Sequence, residues 1–285
     1  MVTLTIKEKT FDVNRIVSFG CSFTAGTEIL DYQLDPYFVK LKHKLDAYQW
    51  WQAIQQDKKQ SRLLDQLRLQ ERNHAWPAKL AAILGVEWLN LAHPGNSNEH
   101  ATWEVEHSLI SNQLRDTDLV IVGLTNMQRS MFFSSTHPAP VNFLFSNKGS
   151  YSHVLTENIL KWFTDDRILW EYYKDLKGFK FLKDKLNGRL FVVPTDNTIR
   201  DICPDTYTHM YGTFEPCSRD NAEFFSKVIN QMRDSDLFLT FEHCLYKFQN
   251  EKTRLPHGHL NEDAHRSFAE LLYKEHITTS TNNLK

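Results

Sequence analysis

Residues 15–26 read RIVSFGCSFTAG. A largely apolar run of strand length is followed by a cysteine and a serine, and Gly20 and Gly26 bracket the turn. Apolar residues on consecutive rather than alternating positions predict a strand buried on both faces, as in a parallel sheet covered by helices on either side. A serine placed where such a strand gives way to a helix stands at the carboxyl end of the sheet, where open α/β folds bind their ligands.

Similar runs recur at residues 86–92, 118–123, 189–194 and 236–241, and helical patterning lies at 76–84, 97–114, 221–232 and 262–274. This alternation predicts a three-layer, doubly wound α/β sandwich with a mostly parallel sheet. Ser97 and Asn261 are the clearest helix caps, and Glu262 and Asp263 after Asn261 suit the positive end of a helix dipole. Residues 27–74 and 134–186 are too long for bare connections and predict structure of their own. The first stretch holds Trp50 and Trp51 ahead of a charged helical run. The second sets Ile159, Trp162, Phe163, Leu169, Trp170, Tyr173 and Leu176 at near-helical spacing. Both are read as helical cap elements on a single domain spanning 1–285, their aromatics packing within the cap, with a substrate-facing lid as the alternative.

Thirty-three basic residues against 35 acidic ones give a net charge of -2, which offers no global field for nucleic acid or an anionic membrane. No window approaches the roughly 20 apolar residues of a membrane span, and the first 20 residues lack a signal-peptide pattern. Cys21, Cys203, Cys217 and Cys244 form no CxxC pair and read as reduced thiols. The expectation is a cytoplasmic protein without nucleic-acid or membrane partners.

Residues suited to acyl chemistry follow the strand-like runs. Ser22 lies after the first. After the second comes NLAHPGNSN (residues 90–98), where Gly95 permits close backbone approach and Ser97 caps the next helix; His93 and Asn98 read as loop hydrogen-bonders. After the third comes GLTNMQR (residues 123–129), in which Asn126 can donate to an oxyanion, Thr125 competes for that role, and Arg129 is a candidate for binding an anionic substrate group. Near the C-terminus, PHGHLNEDAH (residues 256–265) supplies His257, His259 and His265 before the last helix. A metal site of these histidines with Asp263 is set aside, because the spacing is not that of a zinc site and His265 falls inside the helix.

These four segments, in this order, resemble blocks of the SGNH (GDSL-like) hydrolase family over about residues 15–275. FGCSFTAG resembles the nucleophile block, with Cys21 where many members carry aspartate. WPAKLAAILGVEWLNLAHPGNSNEH resembles the segment bearing the oxyanion glycine. VIVGLTNMQR stands for the GxND block, although Asn126 lies one residue later than the family asparagine and Thr125 holds its register. HGHLNEDAHRSFAELL resembles the C-terminal block and aligns His259 with the catalytic histidine; Pro256 or His257 falls where the family has its aspartate. The resemblance implies an esterase or deacetylase without cofactor or metal, acting on a small-molecule or carbohydrate ester. Ser22 would be the nucleophile, His259 the base, and Gly95 and Asn126 would complete an oxyanion hole. With the aspartate absent, His257 and Asp263 are the candidates for orienting His259, unless the acid comes from elsewhere. The alternatives are acyl transfer on the same residues, Cys21 as nucleophile, and a catalytically silent binding protein on this fold.

Overall fold

The computed structural model describes residues 1–125, 129–132, 141–144, 165–195, 223–224, 227–228, 230–231, 235–240 and 243–280. The chain opens with an antiparallel hairpin, β1 (Val2–Ile6) and β2 (Lys9–Val13), joined by a two-residue turn with Lys7 and Glu8 both at positive φ. Next come β3 (Arg15–Gly20), α1 (Ser22–Ala25), α2 (Pro36–Lys42), α3 (Ala47–Gln56), α4 (Lys58–Glu71), α5 (Trp76–Leu84), β4 (Glu87–Asn90) and α6 (Asn98–Ile110). The order continues with β5 (Asp118–Leu124), β6 (Arg129–Phe132), β7 (Val141–Leu144), α7 (Asp165–Lys185), β8 (Leu190–Pro194), α8 (Glu262–His276) and β9 (Thr278–Ser280).

The central sheet is parallel in the order β4-β3-β5-β8, and a parallel bridge from Val192 to Phe238 extends it by one position. Strand direction of winding reverses at β3, so the switch point of the expected doubly wound fold lies at the strand that leads to Ser22. Alternate residues of each strand serve opposite layers. Val17, Phe19, Val120, Val122, Leu190 and Val192 pack with α6 and α7; Ile16, Leu119, Ile121, Phe191 and Val193 pack with α5, α8 and the hairpin. At the end of the sheet away from Ser22, Arg15 and Asp118 are register partners, and the Arg15 guanidinium donates to both oxygens of the buried Asp118 carboxylate. That fork fixes the alignment of the two central strands.

The two long stretches differ in kind. Residues 27–74 build a core of their own from Ile29, Leu30, Leu34, Phe38, Trp50, Ile54, Leu64 and Leu67. In the second, α7 is no cap: Leu169, Tyr172, Leu176, Phe179 and Leu182 are buried against the sheet, making it one of the fold's two helical layers. An aromatic stripe at helical spacing buries as readily against a sheet as within a cap, and the β5-to-β8 crossover needs a helix here. Ile159, Trp162 and Phe163 lie outside the described residues, as does most of the helix expected at 221–232. Among the described residues, no helix is long and apolar enough to cross a membrane.

Candidate active site

Two glycines decide how α1 meets the sheet. Gly20 and Gly123 are paired across β3 and β5, and the buried Thr24 side chain fills the space in front of both. A Cβ on Gly123 would fall 1.9 Å from Thr24 Oγ1, and one on Gly20 would fall 2.7 Å from it and 2.6 Å from the Gly123 carbonyl. Only glycine at both strand ends lets the short helix sit down on them. Asn90, the last residue of β4, donates to the Thr24 carbonyl at 2.8 Å. These contacts hold Ser22 as the first residue of α1, with 4% of its surface exposed, directly beyond the sheet. Cys21 is fully buried.

The loop after β4 is tied to the same strand end: the His93 N–H donates to the Gly20 carbonyl at 3.0 Å. Gly95 is exposed at φ 88°, a left-handed conformation that favours glycine. Ser97 caps α6 through the His100 N–H. Asn98 clamps the backbone after β5, accepting from the Thr125 N–H at 2.8 Å and donating to its carbonyl at 3.2 Å. Thr125 is thereby fixed and buried. Asn126 lies outside the described residues, and of Arg129 the backbone, opening β6, is described. Arg72, at the end of the first insertion, reaches the Ala92 carbonyl at 3.2 Å and His93 Nδ1 at 3.4 Å. Burial pushes the neighbouring Glu104 carboxyl up to about 7, against its hydrogen bond from Asn96 and the charge of Arg72.

His259 comes from the loop before α8, and its ring lies 5.2 Å from that of Phe23, the residue after Ser22. Its partner was not foreseen. Glu28, six residues beyond Ser22, accepts from His259 Nδ1 at 2.8 Å and from the His259 backbone N–H at 3.3 Å, both through Oε2. The other carboxylate oxygen faces His257 Nδ1 at 3.2 Å and the buried Lys42 ammonium. Glu28 is 4% exposed and sits at φ 79°, a conformation of side-chain-bearing residues that persists only where the surroundings over-determine it. Burial by itself would raise its pKa; hydrogen bonds from His257 and His259 and the charges of His259 and Lys42 outweigh that and hold the carboxyl well below the usual range. An ionised carboxylate can only accept, so the His259 Nδ1 carries a proton and Nε2 is the ring nitrogen left for base chemistry. Among the described residues, Ser22 Oγ and the His259 ring are not hydrogen-bonded to each other.

Glu28 belongs to a chain of buried charges inside the first insertion. Lys42 bridges Glu28 and Asp31, and Arg68 bridges Asp31 and Glu71 with contacts of 2.7 Å. Glu71 also accepts from the Leu30 N–H at 3.0 Å, and burial pushes its carboxyl up to about 7 despite Arg68. Alternating signs compensate one another where water is excluded, so each buried charge beside Glu28 has an opposite partner.

The other candidates for orienting His259 divide. His257 shares the Glu28 carboxylate, its Nε2 lying 3.3 Å from the Leu45 carbonyl, so it braces the acid rather than the base. Asp263, in contrast to the expectation, does not pair with His259: it is exposed on the first turn of α8, 3.7 Å from Arg266, while Glu28 takes the His259 Nδ1. Glu262 pairs with Lys79 and His74. His265 is buried, and its Nδ1 accepts from the Trp76 N–H at 3.2 Å; burial pulls its pKa down to about 3. The one local hint of Glu28 in the sequence is a single carboxylate between Thr27 and the apolar pair Ile29 and Leu30; a buried acid needs a partner.

No family model and no curated protein matches the chain. Among solved structures it is similar to a lipolytic protein of the G-D-S-L family from Desulfitobacterium hafniense DCB-2, at 10% identity and TM-score 0.43 over 92% of this chain and 98% of the other. It is also similar to a lipolytic G-D-S-L family protein from Veillonella parvula DSM 2008, at 12% identity and TM-score 0.41 over 92% and 97% of the two chains. A third such structure is a mutant of an acetyl-xylooligosaccharide esterase from Geobacillus, at 12% identity and TM-score 0.42 over 93% and 94%.

Proposed function

We propose that this protein is a serine hydrolase that cleaves an ester or acetyl group through Ser22, His259 and Glu28. The observation that carries the reading is the 2.8 Å contact from His259 Nδ1 to a buried, ionised carboxylate, which supplies the orienting acid absent from the loop before α8. Ser22 Oγ attacks the substrate carbonyl while His259 Nε2 takes the hydroxyl proton; the same proton then goes to the departing alcohol, leaving an acyl-serine. Water, deprotonated by His259, releases the acid and restores the serine. Glu28 keeps the ring in the useful tautomer and stabilises the imidazolium formed in each half-reaction. The Ser22 N–H, at the start of α1, the Gly95 N–H and the Asn126 side chain are the donors assigned to the oxyanion. The Ser–His hydrogen bond is the one to close on substrate binding, as catalytic contacts commonly tighten in the Michaelis complex. The substrate is a small-molecule or carbohydrate-linked ester, with the first insertion beside the centre shaping access. No cofactor or metal is required.

Active-site labelling with a fluorophosphonate probe tests the reading. Folded wild type is expected to label, and Ser22→Ala and His259→Ala to lose the label. A wild type that neither labels nor hydrolyses a small activated ester such as p-nitrophenyl acetate would transfer the assignment to a silent binding protein.

A further inference from the structure

At the C-terminal end of α8, away from Ser22, three side chains of metal-binding type come together. Glu275 and His276 are the last two residues of the helix, and His243 arrives from the segment ahead of a short 3-10 turn, Leu245–Phe248. His243 Nε2 lies 2.8 Å from Glu275 Oε2, His276 Nε2 lies 4.0 Å from the same oxygen, and the three ligand atoms all fall within 4.8 Å of one another.

We propose that His243, Glu275 and His276 bind a divalent transition-metal ion of the zinc class, with water completing its coordination. In a tetrahedral site with bonds of about 2.0–2.2 Å, neighbouring ligand atoms stand roughly 3.3–3.6 Å apart. The observed separations bracket that spacing. Two imidazoles and one carboxylate suit zinc rather than calcium or magnesium, which take oxygen ligands. The position adds to this, because the end of a helix carries partial negative charge that favours a cation. Both contributing segments are anchored: Leu272 on α8 and Ile277 just after it are buried, Cys244 and Leu245 are buried beside His243, and the His243 N–H donates to Thr240 Oγ1 at 3.3 Å. The 15 residues of α8 correspond to about 22 Å of helix between this cluster and the His259 loop. The ion therefore acts as a clip holding residues 243–248 to the last helix, not as a reactant.

The test uses full-length protein stripped of metal with a chelator and then dialysed. Calorimetric titration with zinc chloride is expected to give one ion per chain with a Kd on the order of 10 µM or tighter. At hundredfold excess over that Kd, Tm rises by roughly 5 °C. Magnesium gives no rise, and the double variant His243→Ala, His276→Ala loses both zinc effects while keeping its circular dichroism. A wild type that takes up no stoichiometric zinc, or a folded double variant that binds as wild type does, overturns the proposal. Should the double variant fail to fold, the visible spectrum of wild type with cobalt(II) decides: tetrahedral d–d bands support the site, and the spectrum of the aquo ion overturns it.

Discussion

Replacing Glu28 by glutamine tests the proposed centre most directly, because the surroundings dictate which way the new amide turns. One carboxylate oxygen of Glu28 faces Lys42 and His257, and the other takes both the Nδ1 and backbone N–H of His259. Lys42 can only donate, whereas the His259 ring can switch tautomer. The charged, close Lys42 ammonium outcompetes the neutral His259 backbone N–H at 3.3 Å for the amide carbonyl, so the carbonyl turns to Lys42 and the NH₂ group to His259 Nδ1, which becomes an acceptor. The ring proton moves to Nε2, so the lone pair needed to activate Ser22 is gone. The same change in a serine protease triad lowers kcat about ten-thousand-fold, equivalent to about 5 kcal/mol of transition-state stabilisation. Lys42 retains Asp31 as a partner, so the variant is expected to fold. The assay is steady-state hydrolysis of p-nitrophenyl acetate with a fluorophosphonate labelling rate alongside; kcat should fall by that order while KM changes little. A folded Glu28→Gln protein within tenfold of wild type in kcat would refute the triad argument, whatever becomes of Ser22→Ala.

Acid sensitivity should report on His265. Its folded-state pKa of about 3 lies below the ordinary value of 6.5, so the unfolded chain binds the extra proton and stability present above pH 6.5 is lost as pH falls towards 3. The loss is about 2 kcal/mol between pH 7 and pH 5 and about 5 kcal/mol in full. His265→Asn, whose Oδ1 can still accept from Trp76, should flatten that part of the urea-denaturation profile, and an unchanged pH slope would rule out the assignment. Gly123→Ala should destabilise by about 3 kcal/mol and cut esterase activity, since its Cβ would fall 1.9 Å from Thr24 Oγ1. Thr24→Ala in the same chain should restore part of the lost Tm; strictly additive losses would show that Thr24 is not the obstacle.

The sequence by itself determined the layered core. Residues 15–20 form β3 and residues 76–84 form α5 as expected, because runs of apolar residues, a proline in the first turn and a glycine at the helix end act locally. Ser97 and Asn261 cap their helices for the same reason. Period-two alternation at Val2, Leu4, Ile6, Phe11 and Val13 also carries the N-terminal hairpin, although nothing local says that β9 will pair with it. Ser22 and Gly95 lie just beyond β3 and β4, and His259 just before α8, where the strand-like and helical runs of the sequence put them. Only the tertiary structure decided that α7 belongs to the sheet's own helical layer and that Glu28 meets a histidine 231 residues away. The reason is physical. An apolar stripe says that a face is buried but not against what, and a carboxylate between a threonine and two apolar residues says that it needs a partner but not which one. That choice rests on how residues 27–74 fold and on the hydrogen bonds of His257 and His259 and the Lys42 charge that let an ionised Glu28 remain there.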